Sequence, residues 1–102
     1  MNNLMIVGRI EKSPIINEKE NSVEFTLKVG RTYQNKNGEY EVDFIPIKIF
    51  GPMKQGVLDH CKENDVIGIR GRLSKLKNKN LEIVVEKISF LANGKANQNE
   101  DI

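Results

Sequence analysis

The chain has 102 residues, 38% hydrophobic and 29% charged, a composition typical of one small globular domain. Sixteen basic residues oppose 14 acidic ones, and a net charge of +2 does not by itself indicate a nucleic-acid partner. Cys61 is the only cysteine, which excludes an intramolecular disulfide and suits a reducing compartment. The sequence contains neither a secretion signal nor the ~20 apolar residues of a membrane span, so we expect a cytoplasmic protein.

The first half of the chain predicts three strands. Residues 3–11 form the first, with Gly8 as a bulge or bend, and a Ser-Pro pair and a polar stretch follow it. Residues 22–30 alternate apolar and polar side chains, as a half-buried strand does. The sequence Asn-Lys-Asn-Gly at 35–38 is a turn signal, and a third strand is expected at 40–50.

The second half predicts a helix and two more strands. Apolar residues recur at helical spacing over 52–62, after which alternation returns in a fourth strand at 67–74. A basic connection at 75–80 leads to a fifth strand that continues to about residue 90. From residue 93 to 102 the chain is polar, with Glu100 and Asp101 before the last residue, which indicates a short flexible tail.

Three strands, one helix and two strands predict an all-β domain over residues 1–92. Closing five short strands into a barrel removes exposed sheet edges. A five-stranded Greek-key barrel with a short helix between strands three and four is the OB-fold plan, which binds oligonucleotides or oligosaccharides on one face.

The third strand divides into two chemically different faces, because side chains alternate across a strand. The faces are Ile45, Ile47 and Ile49 on one side, and Phe44, Pro46, Lys48 and Phe50 on the other. We expect the isoleucines in the core and the aromatic rings outside, although an aromatic residue in a strand is usually a core residue. Exposed rings beside a cation are suited to stacking bases and holding a backbone phosphate.

Three segments, residues 3–10, 30–45 and 65–73, resemble the bacterial and phage single-stranded DNA-binding protein family. The match extends over about residues 1–91, in order and with the family's spacing. The resemblance implies an OB-fold that wraps single-stranded DNA without strong sequence preference and commonly forms homotetramers. It also implies that Tyr33, Phe44 and Phe50 stack on bases.

Basic residues near these aromatics are the candidate phosphate contacts, because phosphate binding needs charge more than exact geometry. Arg70 and Arg72 share one strand face, which could equally be an ordinary solvated surface. The candidates are Arg31, Lys36, Lys48, Arg70, Arg72, Lys75, Lys77 and Lys79.

The remaining candidate residues do not support a catalytic or metal-binding role. His60 and Cys61 lack a second Cys or His to complete a metal site, and no catalytic constellation is visible, so we expect neither an enzyme nor a cofactor. The basic connection carries no aromatic, and the tail is a short form of the one with which bacterial members recruit replication and repair proteins. A primosome-type OB-fold module that binds proteins first is therefore the alternative, and a phage- or plasmid-encoded protein is as plausible as a main cellular one.

Overall fold

The computed structural model describes residues 1–75 and 80–94. Six strands and one α-helix lie in these residues. Their bounds are β1 Leu4–Ile10, β2 Ile15–Asn17, β3 Ser22–Gln34, β4 Tyr40–Ile49, α1 Met53–His60, β5 Val66–Lys75 and β6 Leu81–Ala92. The five long strands and the helix between the third and fourth of them confirm the predicted architecture. The three-residue β2, within the stretch expected to be irregular, was not predicted.

The long strands form one antiparallel sheet in the order β4-β3-β1-β5-β6. The short β2 pairs with the start of β3, along the same edge of β3 that pairs farther on with β1. The sheet curls into a half-barrel, as expected for an OB-fold. Sheet twist carries the two end strands, β4 and β6, toward each other. No ladder joins these two strands within the described residues.

The core lies inside this curl. Alternate residues of β3, β4 and β5 point into it, and Val57 of α1 and the adjacent Cys61 close one side. Burying this apolar surface is the main favourable term in folding. The buried hydrophobic residues are Ile10, Val23, Phe25, Leu27, Ile47, Ile49, Val57, Cys61, Ile67, Ile69 and Val85.

Two strand glycines are sites of close backbone approach. The pairing of β1 with β5 runs through Gly8 without a shift, so of the expected bulge or bend the bulge is wrong. A Cβ at Gly8 would instead meet the carbonyl oxygen of Lys28. A register shift does occur between Arg70 and Gly71 on β5, where a Cβ at Gly71 would collide with the backbone of Val84.

Candidate nucleic-acid interface

The outward side of the β3–β4 pair carries an exposed aromatic residue among polar ones. In the ladder Phe44 is opposite Lys28, and Lys48 is opposite Glu24. Phe44 is 57% exposed, whereas Ile47 is 1% exposed. The predicted separation of faces is therefore confirmed. We call this surface the β3–β4 face, which consists of Glu24, Thr26, Lys28, Phe44, Pro46 and Lys48.

Phe50 lies one residue beyond the end of β4 and is 45% exposed. The chain turns immediately after it, at Gly51, which has a φ of 73°. The other large side chain at this end of the strand, Ile49, is fully buried. Phe50 is thus exposed and Ile49 buried, as the alternation along β4 predicts.

Tyr33 lies in the part of the hairpin that extends beyond the core. The ladder pairs Gly30 with Val42 and next pairs Gln34 with Tyr40, so three residues of β3 are opposite one residue of β4. This irregularity is a β-bulge, and it bends and twists a strand locally. Tyr33 is one of the three residues and is 64% exposed. Tyr40, at the far rung, is also exposed.

Arg31 also lies in the bulge, where two carboxylates surround its guanidinium group. Its Nη1 is 2.6 Å from Oε2 of Glu41, and its Nη2 is 2.9 Å from Oδ1 of Asp43. Nε donates to both oxygens of Asp43 as well. The hydrogen bond with Asp43 raises the pKa of Arg31, and the same bond lowers the pKa of Asp43.

Lys48 is paired in a similar way. Its Nζ donates to both carboxylate oxygens of Glu20, at 3.0 and 2.8 Å. This hydrogen bond raises the pKa of Lys48 and lowers the pKa of Glu20. Both side chains are partly exposed, so solvent screens the pair and it can open.

The other predicted cations are dispersed. Lys36 is exposed in the turn of the hairpin, and Lys75 is exposed at the end of β5. Arg70 and Arg72 lie on the outward side of β5, and Arg72 has Glu86 3.7 Å away. Because β3 and β1 lie between β4 and β5, these arginines are three strand spacings, or ~14 Å, from Phe44 across the strands. They are also displaced along the strands, because the row of Phe44 passes through Lys28 and Arg9 to Val66. Lys77 and Lys79 lie outside the described residues.

Sequence reasoning missed residues that lie next to the predicted ones on this candidate surface. Lys28 is opposite Phe44, and Ile15 of β2 is 64% exposed. Ile15 lines a groove of about 270 Å³ together with Thr26, Pro46 and Lys48. The alternation of β3 already assigned Lys28 and Thr26 to its polar side. That they lie beside Phe44 could be determined only from the register of the hairpin, which the sequence does not give.

A second concave region lies away from this face, between α1 and β6. It has a volume of about 640 Å³, and Met53, His60, Cys61 and Phe90 are among its lining residues. Cys61 is 5% exposed, and burial raises the pKa of its thiol. Among residues 1–75 and 80–94, no group of three His, Cys, Asp or Glu side chains could hold a metal ion. In the same residues no helix has the length and apolar character needed to cross a membrane.

Comparison with known proteins assigns the chain to a family. The model of the single-strand binding protein family matches residues 1–91. "Single-stranded DNA-binding protein 1" of Clostridium acetobutylicum is 33% identical over 103 residues, covering 89% of this chain and 94% of that protein. "Single-stranded DNA-binding protein 2" of a Staphylococcus aureus strain is 31% identical over 102 residues, and the match covers 89% of this chain and 72% of the Staphylococcus protein.

Solved structures show the same fold. The small single-stranded DNA-binding protein of Streptomyces coelicolor superposes with a TM-score of 0.68 at 19% identity, covering 89% of this chain and 96% of that one. The second single-stranded DNA-binding protein of Mycobacterium smegmatis gives a TM-score of 0.60 at 13% identity, with 87% of each chain covered.

Proposed function

The chain belongs to the single-strand binding protein family and binds single-stranded DNA, and we propose that it does so on the β3–β4 face. Roles in DNA replication, repair and recombination are general for this family. Within it, this chain acts by binding and protecting unpaired DNA and catalyses no reaction. The supporting observation is the outward position of Phe44 opposite Lys28, on the same strand face as Lys48.

Base stacking supplies the sequence-tolerant part of the binding energy. Phe44, Phe50 and Tyr33 are each at least 45% exposed, so a base can reach the ring without unfolding of the strand. Every base has a flat face, so stacking does not depend on sequence, and each stacked base contributes ~1–3 kcal/mol. Ile15 and Pro46 extend this apolar surface toward β2.

Phosphate contacts supply the salt-dependent part. Lys28 is opposite Phe44, and Lys48 lies four residues farther along β4 on the same face. Lys36 and Lys75 are exposed on connecting or terminal segments. Arg70 and Arg72 would contact the DNA only where it crosses to β5. Lys77 and Lys79 stay candidates from the sequence. Each phosphate neutralised releases counterions, so affinity falls as salt rises.

The protein also assembles into a homo-oligomer, a dimer or a tetramer. Met5 and Val7 are 79% and 55% exposed on the outward side of β1, and Leu91 of β6 is 53% exposed. A Cβ at Gly68 would lie within 3.8 Å of both Val7 and Leu91, so these side chains form one apolar patch. Patches of this kind mark interaction sites. Val7→Glu should therefore yield a smaller species in sedimentation analysis.

The location that fits this role is the cytoplasm, where DNA is present and a lone cysteine stays reduced. Residues 1–92 serve as the binding domain and 93–102 as a short tail. Replication and repair proteins are the partners that such a tail would contact.

Titration of the purified chain alone tests the function. Labelled oligo-dT and a duplex of equal length are titrated at several salt concentrations, with fluorescence anisotropy as the readout. We expect tight binding of oligo-dT, weak binding of duplex, and a linear fall of log affinity with log salt. No binding of oligo-dT without a partner protein would favour the protein-interaction module instead.

A further inference from the structure

We propose that Arg31 is a positioning residue, which holds the β3–β4 hairpin closed across its bulge and thereby fixes Tyr33 for stacking. This inference rests on the proposed function and assigns Arg31 a different part in it from the phosphate contact that its charge suggests. The grounds are the interrupted ladder and the two carboxylates that the guanidinium group bridges.

The regular ladder of the hairpin is interrupted where Tyr33 emerges. Regular pairing ends at Gly30 and Val42 and resumes at the single rung formed by Gln34 and Tyr40. Between these rungs Glu41 alone is opposite three residues of β3, so the ladder hydrogen bonds that would fix them are disrupted. The segment that carries Tyr33 therefore needs another restraint.

The Arg31 side chain provides that restraint. It extends from the bulged part of β3 and bonds to Asp43 and Glu41, which are on β4 on either side of Val42. With Asp43 it uses Nε and Nη2, a forked geometry that the planar guanidinium group offers and an ammonium group does not. A cross-strand bridge thus replaces the missing backbone rungs.

The bridge continues into the turn. Nδ2 of Asn35 donates to Oε1 of Glu41, at 3.4 Å, while Oδ1 of Asn35 accepts the backbone N–H groups of Asn37 and Glu39. The backbone N–H of Asn35 also donates to the carbonyl oxygen of Glu39, at 2.8 Å. Arg31 is thus linked through Glu41 to the residues that close the hairpin, so both ends of the Tyr33 segment are restrained.

The charge balance argues against Arg31 as a phosphate contact. One guanidinium group faces two carboxylates, so this cluster carries a net charge of −1 and repels a phosphate. A phosphate could bind Arg31 only by displacing Asp43 or Glu41, and either displacement would release the hairpin. Within the described part of the chain, Lys36 of the same hairpin takes no part in this network and is the better phosphate contact.

The test measures what Tyr33 contributes in different backgrounds. Tyr33→Ala is made in the wild-type chain and in the Arg31→Lys and Asp43→Ala chains, with Lys36→Ala as the control background. Affinity for labelled oligo-dT is measured by anisotropy. Because each loss is measured within one background, the change in charge caused by Asp43→Ala cancels. Arg31→Lys keeps the charge and removes the fork.

The expected results are specific. Tyr33→Ala should weaken binding about tenfold in the wild type and in the Lys36→Ala background, as loss of one stacked base does. In the Arg31→Lys and Asp43→Ala backgrounds it should cost less than about twofold, because the ring is no longer held. Equal losses in all four backgrounds would overturn the positioning role. Failure of the wild-type chain to bind oligo-dT would instead overturn the proposed function.

Discussion

Replacing Phe44 with alanine removes the ring at the centre of the β3–β4 face. Stacking of one base is worth ~1–3 kcal/mol, so affinity for oligo-dT should fall by about five- to 150-fold. Because 57% of Phe44 is already exposed, truncation loses less than half of a full burial energy, about 1 kcal/mol of folding stability. Binding should therefore suffer while the fold survives.

Phe90→Ala is the matched control for this prediction. Phe90 is 50% exposed on β6 and lines the groove beside α1, away from the β3–β4 face. Both variants are measured by anisotropy with the same oligo-dT and by thermal unfolding. Affinity of Phe44→Ala within twofold of wild type, together with a large loss for Phe90→Ala, would show that the DNA follows another surface.

Three other changes have definite expected outcomes. Glu20→Gln should raise affinity for oligo-dT in the same titration, because it frees Lys48 from a carboxylate that competes with phosphate; unchanged or weaker binding would contradict this. Gly71→Ala should destabilise the fold strongly in denaturant unfolding, because the added Cβ meets the backbone of Val84. Gly56→Ala should instead stabilise α1 by up to ~1 kcal/mol, because the space around the added Cβ is open. Equal effects of the two substitutions would refute the steric argument. Alkylation of Cys61 should be much slower in the native chain than in urea, because the thiol is buried and its pKa is raised, and equal rates would show that the helix opens readily.

The faces of the strands could be predicted from the sequence because alternation is a local property. Phe44 and Ile47 differ in parity, and they differ in exposure as expected. Their partners could not be predicted in the same way. A regular hairpin through the Gln34–Tyr40 rung would put Phe44 opposite Gly30, but the bulge moves its partner to Lys28. A shift of two residues keeps every side chain on its predicted face.

Long-range contacts account for most of what the sequence did not indicate. Lys48 was expected to be available for phosphate, yet Glu20, 28 residues earlier, lies against it in the folded chain. Gly8 was expected to mark a bulge or a bend in the first strand. A Cβ there would collide with the carbonyl oxygen of Lys28 on β3, and only the assembled sheet reveals this close approach.

The most direct test of the stacking surface is an NMR titration of the aromatic side chains with oligo-dT. The chain has four phenylalanines and two tyrosines, so each ring can be followed separately. The ring resonances of Phe44, Phe50 and Tyr33 should shift on binding, because a stacked base changes their magnetic environment, while those of Phe90, which lines the groove beside α1, should stay in place. Shifts confined to Phe90, with Phe44 and Phe50 unchanged, would contradict binding on the β3–β4 face.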